Sequence, residues 1–159
     1  MTQEKQTFLI QSIGTVERQD GRVAVSVDAD YRPALKGLET FSHVIVYWWA
    51  SHYDMPECRE LLVVPLPYAE EREAGVFACR APVRPNLIMS TVCEIVAVDP
   101  EQGTVVINDI DAFDGTPIID LKAYFPVMDR VREAHISPDL VGWPEWVPEE
   151  GMGLMEGEG

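Results

Sequence analysis

Two stretches of this 159-residue chain carry residue types and spacings suited to chemistry. The first reads Gly75-Val-Phe-Ala-Cys-Arg80-Ala-Pro-Val-Arg84-Pro-Asn86-Leu-Ile-Met-Ser90, with two arginines, two prolines and an asparagine set into apolar sequence. Proline fixes φ and stiffens a connection, the planar forks of Arg80 and Arg84 match carboxylate or phosphate, and the Asn86 amide can read another amide or an adenine edge. This is the pattern of a rigid loop that grips an anion, and equally of a salt-bridged structural loop in an acidic protein. The second stretch, Asp109-Ile-Asp111-Ala-Phe-Asp114-Gly115-Thr116-Pro117-Ile-Ile-Asp120-Leu-Lys122-Ala-Tyr124, mixes acids with apolar residues around a turn. Asp114-Gly115-Thr116 offers backbone amides and a hydroxyl to a ligand, while Asp120, Lys122 and Tyr124 fall on one face of a strand. Calcium loops use a different spacing, so no metal is assigned to these aspartates.

Other chemistries are not signalled. There is no GxGxxG between a strand and a helix, no Walker loop, no HExxH and no GxSxG, so a Rossmann-type cofactor site cannot be argued. Cys58, Cys79 and Cys93 stand 21 and 14 positions apart with no CxxC pair, which reads as three reduced structural thiols. Twelve Lys and Arg against 27 Asp and Glu give a formal charge of -15, which repels a phosphate backbone. The apolar run from Phe41 to Ala50 is interrupted by Ser42 and His43 and falls well short of the roughly 20 residues of a membrane helix. Met1 to Gln6 is polar and lacks the charged-then-apolar order of a signal peptide, so a cytoplasmic protein with no membrane partner is expected.

The elements that must position these residues are mostly strands. Thr7 to Ile13, Arg22 to Val27, His43 to Trp49, Leu61 to Pro65, Val76 to Cys79, Ser90 to Val98 and Gly103 to Asn108 are rich in β-branched and aromatic residues. Turns are marked at Gln19-Asp20-Gly21, at Asp99 to Gly103 and at Asp114-Gly115, and a hairpin is expected over Val92 to Ile107. The His43 to Trp49 run does not alternate, which predicts a strand buried on both faces. Short helices are expected around Pro33 to Leu38 and Val127 to Ala134. Many short strands without long intervening helices point to a small closed or nearly closed β-barrel with short peripheral helices, spanning residues 1–136. Residues 137–159 form a tail with Pro138, Pro144 and Pro148, six acids and no Lys or Arg. Its Trp143 and Trp146 must bury area against the barrel, against a twin subunit, or as a wall of a ligand pocket.

Both clusters closely resemble patterns of the TsaA-like family, GVFATRSPxRPNPIGLS and DxLDGTPxLDIKPY. Ile13-Gly14 and Gly37-Leu-Glu-Thr-Phe-Ser-His43 resemble the family's opening strand and its GLxGFSH segment, so the likeness covers about Phe8 to Asp129. It implies a compact β-barrel, usually a homodimer, that binds S-adenosyl-L-methionine. It also implies a methyltransferase, whose tRNA-modifying members act on the exocyclic amine of threonylcarbamoyl-adenosine beside the anticodon. Carried over by position, Arg80 matches the family's cofactor-binding arginine, Ser90 falls beside its serine, and Asp114, Gly115, Thr116 and Pro117 match its DGTP turn. Ser51 and His52 fall where the family has a histidine and a polar residue. On this reading Arg84, Asn86 and Lys122 hold the acceptor, and Asp120 or Tyr124 guides the proton that an amine acceptor loses. Two departures stand out: the loop between Val16 and Gly21 is short, and Leu87-Ile-Met-Ser replaces Pro-Ile-Gly-Leu. A small-molecule methyltransferase and a non-catalytic S-adenosylmethionine-binding protein are the alternatives that the acidity and the shortened loop suit.

Overall fold

Asp20 and Gly21 both adopt positive φ, 51° and 78°, in the computed structural model, which describes residues 3–156. Two successive left-handed residues make the tight loop whose twist matches paired antiparallel strands. They join β1 (Gly14–Gln19) to β2 (Arg22–Val27), paired Gly14 with Val27 through Gln19 with Arg22. The remaining strands are β3 (His43–Trp49), β4 (Val63–Pro65), β5 (Glu73–Gly75), β6 (Ile88–Asp99), β7 (Thr104–Ile107) and β8 (Pro117–Ala123). Six of them close a barrel in the order β1-β2-β7-β6-β3-β8, and β4 pairs with β5 as a separate ribbon. The seam that closes the ring is short, with β1 and β8 paired only at Gly14 with Ile118 and Thr15 with Pro117.

Alternation fills the barrel. Val16, Val25, Val44, Val46, Cys93, Val105 and Ile118 form its interior together with Leu87, Ile110 and Trp48. The expected hairpin is the β6–β7 pair, turned at Gly103 with φ 72°.

Several elements differ from the sequence expectation for physical reasons. Thr7 to Ile13 is not a strand: Phe8 and Leu9 are 74% and 90% exposed, backbone bonds to the barrel begin at Ile13, and the strand itself starts at Gly14, where the backbones come so close that a Cβ would lie 2.0 Å from Ser26 O. Val76–Ala78 is a 3-10 turn, and the Val76 carbonyl that a ladder would use accepts instead from Arg84 Nη2 at 2.8 Å. β3 is not buried on both faces. Val44, Val46 and Trp48 point inward, while the outer face is half-buried, with the Lys122 amine 5.8 Å from the Tyr47 ring and the Arg59 guanidinium 5.7 Å from the Trp49 ring. The helix near Pro33 is 3-10 over Ala29–Leu35, and Gly37 at φ 90° separates it from a second turn, Leu38–Thr40. After β8 the helix is one turn, Pro126–Asp129, because Val127, Met128 and Val131 meet no core that a longer apolar stripe could cover. No helix among the described residues is long and apolar enough to cross a membrane.

Candidate functional site

A cavity of about 480 Å³ opens where the end of β3, the loop before β6 and the loop before β8 converge. Its polar groups come from three segments. The turn Ser51–Tyr53 that follows β3 contributes Ser51 and His52, the loop after Val76–Ala78 contributes Arg80, and the connection from β7 to β8 contributes Asp111 and Thr116. Trp48, Met89, Phe113 and Pro82 supply much of the apolar wall.

Asp111, Arg80 and His52 are each held from behind. The buried Thr91 hydroxyl accepts from Trp48 Nε1 at 3.0 Å and donates a short hydrogen bond to Asp111 Oδ1. One buried hydroxyl therefore satisfies the indole and fixes the carboxylate at the cavity. Arg80 Nη2 donates to Ser90 O at 2.6 Å and to Ser90 Oγ at 3.0 Å, which ties the loop to β6. His52 stacks on Phe113 with ring centroids 4.6 Å apart and planes 12° from parallel.

The loop from Asp109 to Asp114 is clamped by Arg18 on β1. Its guanidinium donates to the carbonyls of Ile110 and Ala112, the latter at 3.0 Å, and pairs with Asp109 at 3.1 Å. Its backbone N–H donates to Asp114 Oδ1 at 2.8 Å. Gly115 takes φ 76° and donates to Val16 O, while Val16 donates to Thr116 O. The Asp114 to Pro117 turn is thus stitched to β1, and of its residues Thr116 lines the cavity.

Ser51, His52, Arg80 and Thr116 therefore share one cavity, with Ser90 bonded behind Arg80 and with Asp114, Gly115 and Pro117 shaping the turn. Arg84 is turned into the loop itself, donating to Ala81 O at 3.0 Å as well as to Val76 O. Asn86 is exposed, and its carbonyl accepts from Ile88 N–H at 2.7 Å. Lys122 pairs with Asp120 at 3.0 Å, and the hydrogen bond to that carboxylate, then its charge, raises the amine's pKa. Asp120 lines a second cavity of about 600 Å³ beside Tyr31, Leu38, Phe41 and Phe125. Tyr124 has its ring 6.2 Å from that of His43.

Asp111 and Phe113 line this cavity and Thr91 and Arg18 brace it, none of them selected from the sequence. Asp111 is the first acid of the DxLDGTP pattern and was the one readable signal among them. Cys79 also lines the cavity, and Cys93 lies buried in the barrel, where desolvation first, and the charges of Asp111 and Asp109 after it, push its thiol up to about 12. Among the described residues no three His, Cys, Asp or Glu are grouped so as to hold a metal ion.

Residues 3–130 match the family described as the tRNA-methyltransferase O N-terminal domain. A Halobacterium salinarum relative is 39% identical over 105 residues, 66% of this chain and 75% of its own. An Archaeoglobus fulgidus relative named as an S-adenosyl-L-methionine-binding protein is 38% identical over 109 residues, 69% of this chain and 73% of its own. The crystal structure of TrmO from Pseudomonas aeruginosa superposes with a TM-score of 0.65 at 26% identity, covering 85% of this chain. This chain spans 62% of that one, less than two thirds of its length.

Proposed function

The chain belongs to the family of tRNA-methyltransferase O N-terminal domains, and on that premise we propose that it binds S-adenosylmethionine in the Asp111 cavity and transfers its methyl group. The observation that carries this reading is the donor set gathered there: a fixed carboxylate, a tethered guanidinium, two hydroxyls and a stacked His52–Phe113 pair in about 480 Å³. That volume lies in the range of roughly 300–1,000 Å³ of small-ligand sites. The residues fit a ligand with a flat base, hydroxyls, an ammonium and a carboxylate. Phe113 and Trp48 offer ring surface to the base, Asp111 accepts from hydroxyls or the ammonium, and Arg80 meets the carboxylate.

When bound, the cofactor supplies an electrophilic methyl group on a sulfonium sulfur, which is left as a neutral thioether. The protein's part is chiefly to hold an acceptor in line with that methyl and to exclude water, since positioning alone is worth roughly 7–11 kcal/mol in well-oriented reactions. An amine acceptor must also lose a proton, and Asp111 and His52 are the groups lining the cavity that can take it. Asp120 and Tyr124 remain alternatives for that role, at a distance from this lining, and Asn86 and Lys122 remain candidates for holding an acceptor that extends along the surface.

Two acceptors are compatible with this reading. The family description supports the modified adenosine of tRNA, and the formal charge of -15 supports a small molecule. The apolar exposure of Phe8, Leu9, Val127 and Val131 supports a homodimer, and three free thiols support a reducing, cytoplasmic setting.

Titration calorimetry with S-adenosylmethionine, paired with transfer of labelled methyl to tRNA lacking the modification, tests the proposal. Binding with labelled tRNA supports both the reaction and the tRNA acceptor. Binding without label moves the acceptor to a small molecule or to none, and absence of binding overturns the reading.

A further inference from the structure

The family match ends at residue 130, and the segment beyond it, mostly exposed through residue 150, is seated on the barrel around Glu149 to Gly153. Asn108 Nδ2 donates to Glu149 O at 3.2 Å. Gly151 is buried at φ 90°, and a Cβ there would come within 2.8 Å of Asn108 Nδ2. A Cβ on Gly153 would stand 2.2 Å from Asp109 Oδ2. The two glycines thus let the backbone lie directly on the Asn108–Asp109 corner, next to the loop that carries Asp111. Further along, Trp143 meets Tyr68 edge-on at 5.1 Å and Asp139 pairs with Arg72 at 3.5 Å. As a result Trp143, Met152, Gly153, Leu154 and Met155 line the same cavity as Asp111 and His52.

We propose that residues 137–156 are the specificity element of this site, an apolar wall with an acidic exterior that encloses a small acceptor beside the cofactor and refuses a polynucleotide. The inference rests on the cofactor reading given above. A polynucleotide is held by cations that replace its counterions. Here the segment presents exposed Glu145, Glu149 and Glu150, and it also engages the basic side chains near it. Arg72 is paired with Asp139, and Arg130 lies 5.5 Å from the Trp146 ring. Because the segment supplies one side of the cavity, an acceptor too bulky to fit beside it requires the wall to leave the Asn108–Asp109 corner.

The full-length protein tests this directly. A Glu-specific endoprotease cuts the segment at Glu145, Glu149 and Glu150, and cleavage follows the population in which the segment is released. With S-adenosylmethionine saturating by calorimetry, cleavage at these sites is expected to slow about tenfold or more, because the ligand binds the closed form. Fluorescently labelled total tRNA is expected not to bind at about 0.15 M salt, with or without the cofactor. Gly151→Val, which pries the segment from Asn108, is expected to weaken S-adenosylmethionine about tenfold. If that variant does not fold, Trp143→Ala makes the same comparison without touching Asn108. Calorimetric binding with unchanged cleavage overturns this proposal alone, as does tight, salt-sensitive tRNA binding by the unaltered protein. No calorimetric binding overturns the cofactor reading and this proposal with it.

Discussion

His52 lies nearly flat on Phe113, so the turn after β3 and the loop before β8, about sixty positions apart in the chain, meet ring to ring at the cavity. An aromatic pair of this kind contributes about 0.5–1.5 kcal/mol beyond its buried area. Phe113→Leu keeps an apolar side chain and removes the stack. Its expected effect is a roughly three- to tenfold weaker affinity for S-adenosylmethionine, read by titration calorimetry. Unchanged affinity in the folded variant means the stack is remote from the bound ligand.

Arg80→Ala removes both the lining guanidinium and its two hydrogen bonds to Ser90. A weakening of S-adenosylmethionine binding by at least about tenfold is expected, since hydrogen bonds to charged groups contribute about 1.5–3 kcal/mol. Circular dichroism matching the parent would show that the loss is local. Parent-like affinity would remove Arg80 from the site.

Thr91→Val preserves shape and deletes the hydroxyl shared by Trp48 and Asp111. It leaves the Trp48 indole N–H, on a buried side chain, without its acceptor, at a cost of about 1–3 kcal/mol. Urea unfolding is expected to show a lower midpoint with an unchanged slope. Cofactor affinity is expected to fall as well, because the carboxylate loses its anchor.

Cys93 is expected to contribute to an alkaline decline in stability. Its folded-state pKa is raised from the ordinary 9.0 to about 12, chiefly by burial. Between these values the unfolded chain has released a proton that the native state still holds, so the contribution is complete below pH 9 and is lost as pH rises toward 12. Unfolding free energy measured from pH 8 to 11 is therefore expected to decline less steeply in Cys93→Ala than in the parent. Equal slopes in the two proteins would assign the decline to other groups.

Gly14→Ala places a methyl group against Ser26 O, in backbone that cannot step aside as a flexible side chain would. Overpacking of this kind costs about 1–3 kcal/mol. Thermal unfolding is expected several degrees below the parent, with the spectrum of the folded state retained. An unchanged midpoint would show that β1 and β2 can part at this end without penalty.

The barrel was legible where local chemistry and tertiary demand agree. Asp20-Gly21 marks its two-residue turn, and Val23, Val25 and Val27 alternate onto the interior. Phe8-Leu-Ile10 has the same β-favouring composition as a true strand, and only the absence of a pairing partner separates it from one. The Trp48–Thr91–Asp111 relay was not legible, because its members lie 43 and 20 positions apart on three elements and none is unusual alone. Arg18 was hidden for the same reason: an arginine in a short strand resembles any surface cation until it is seen capping carbonyls about ninety positions away. The seating of the C-terminal segment depends on missing side chains at Gly151 and Gly153, which a Gly-rich, acidic composition disguises as a loose end.

The seam between β1 and β8 joins positions about a hundred apart through two residue pairs, while the neighbouring β1–β2 hairpin spans a two-residue loop with six. Loop-closure entropy must be met before a distant pairing contributes anything, so near neighbours zip first and the ring is sealed last. The Asp111 loop runs directly into that seam through Thr116 and Pro117. The pocket loop is therefore expected to be ordered together with that seam, late in folding.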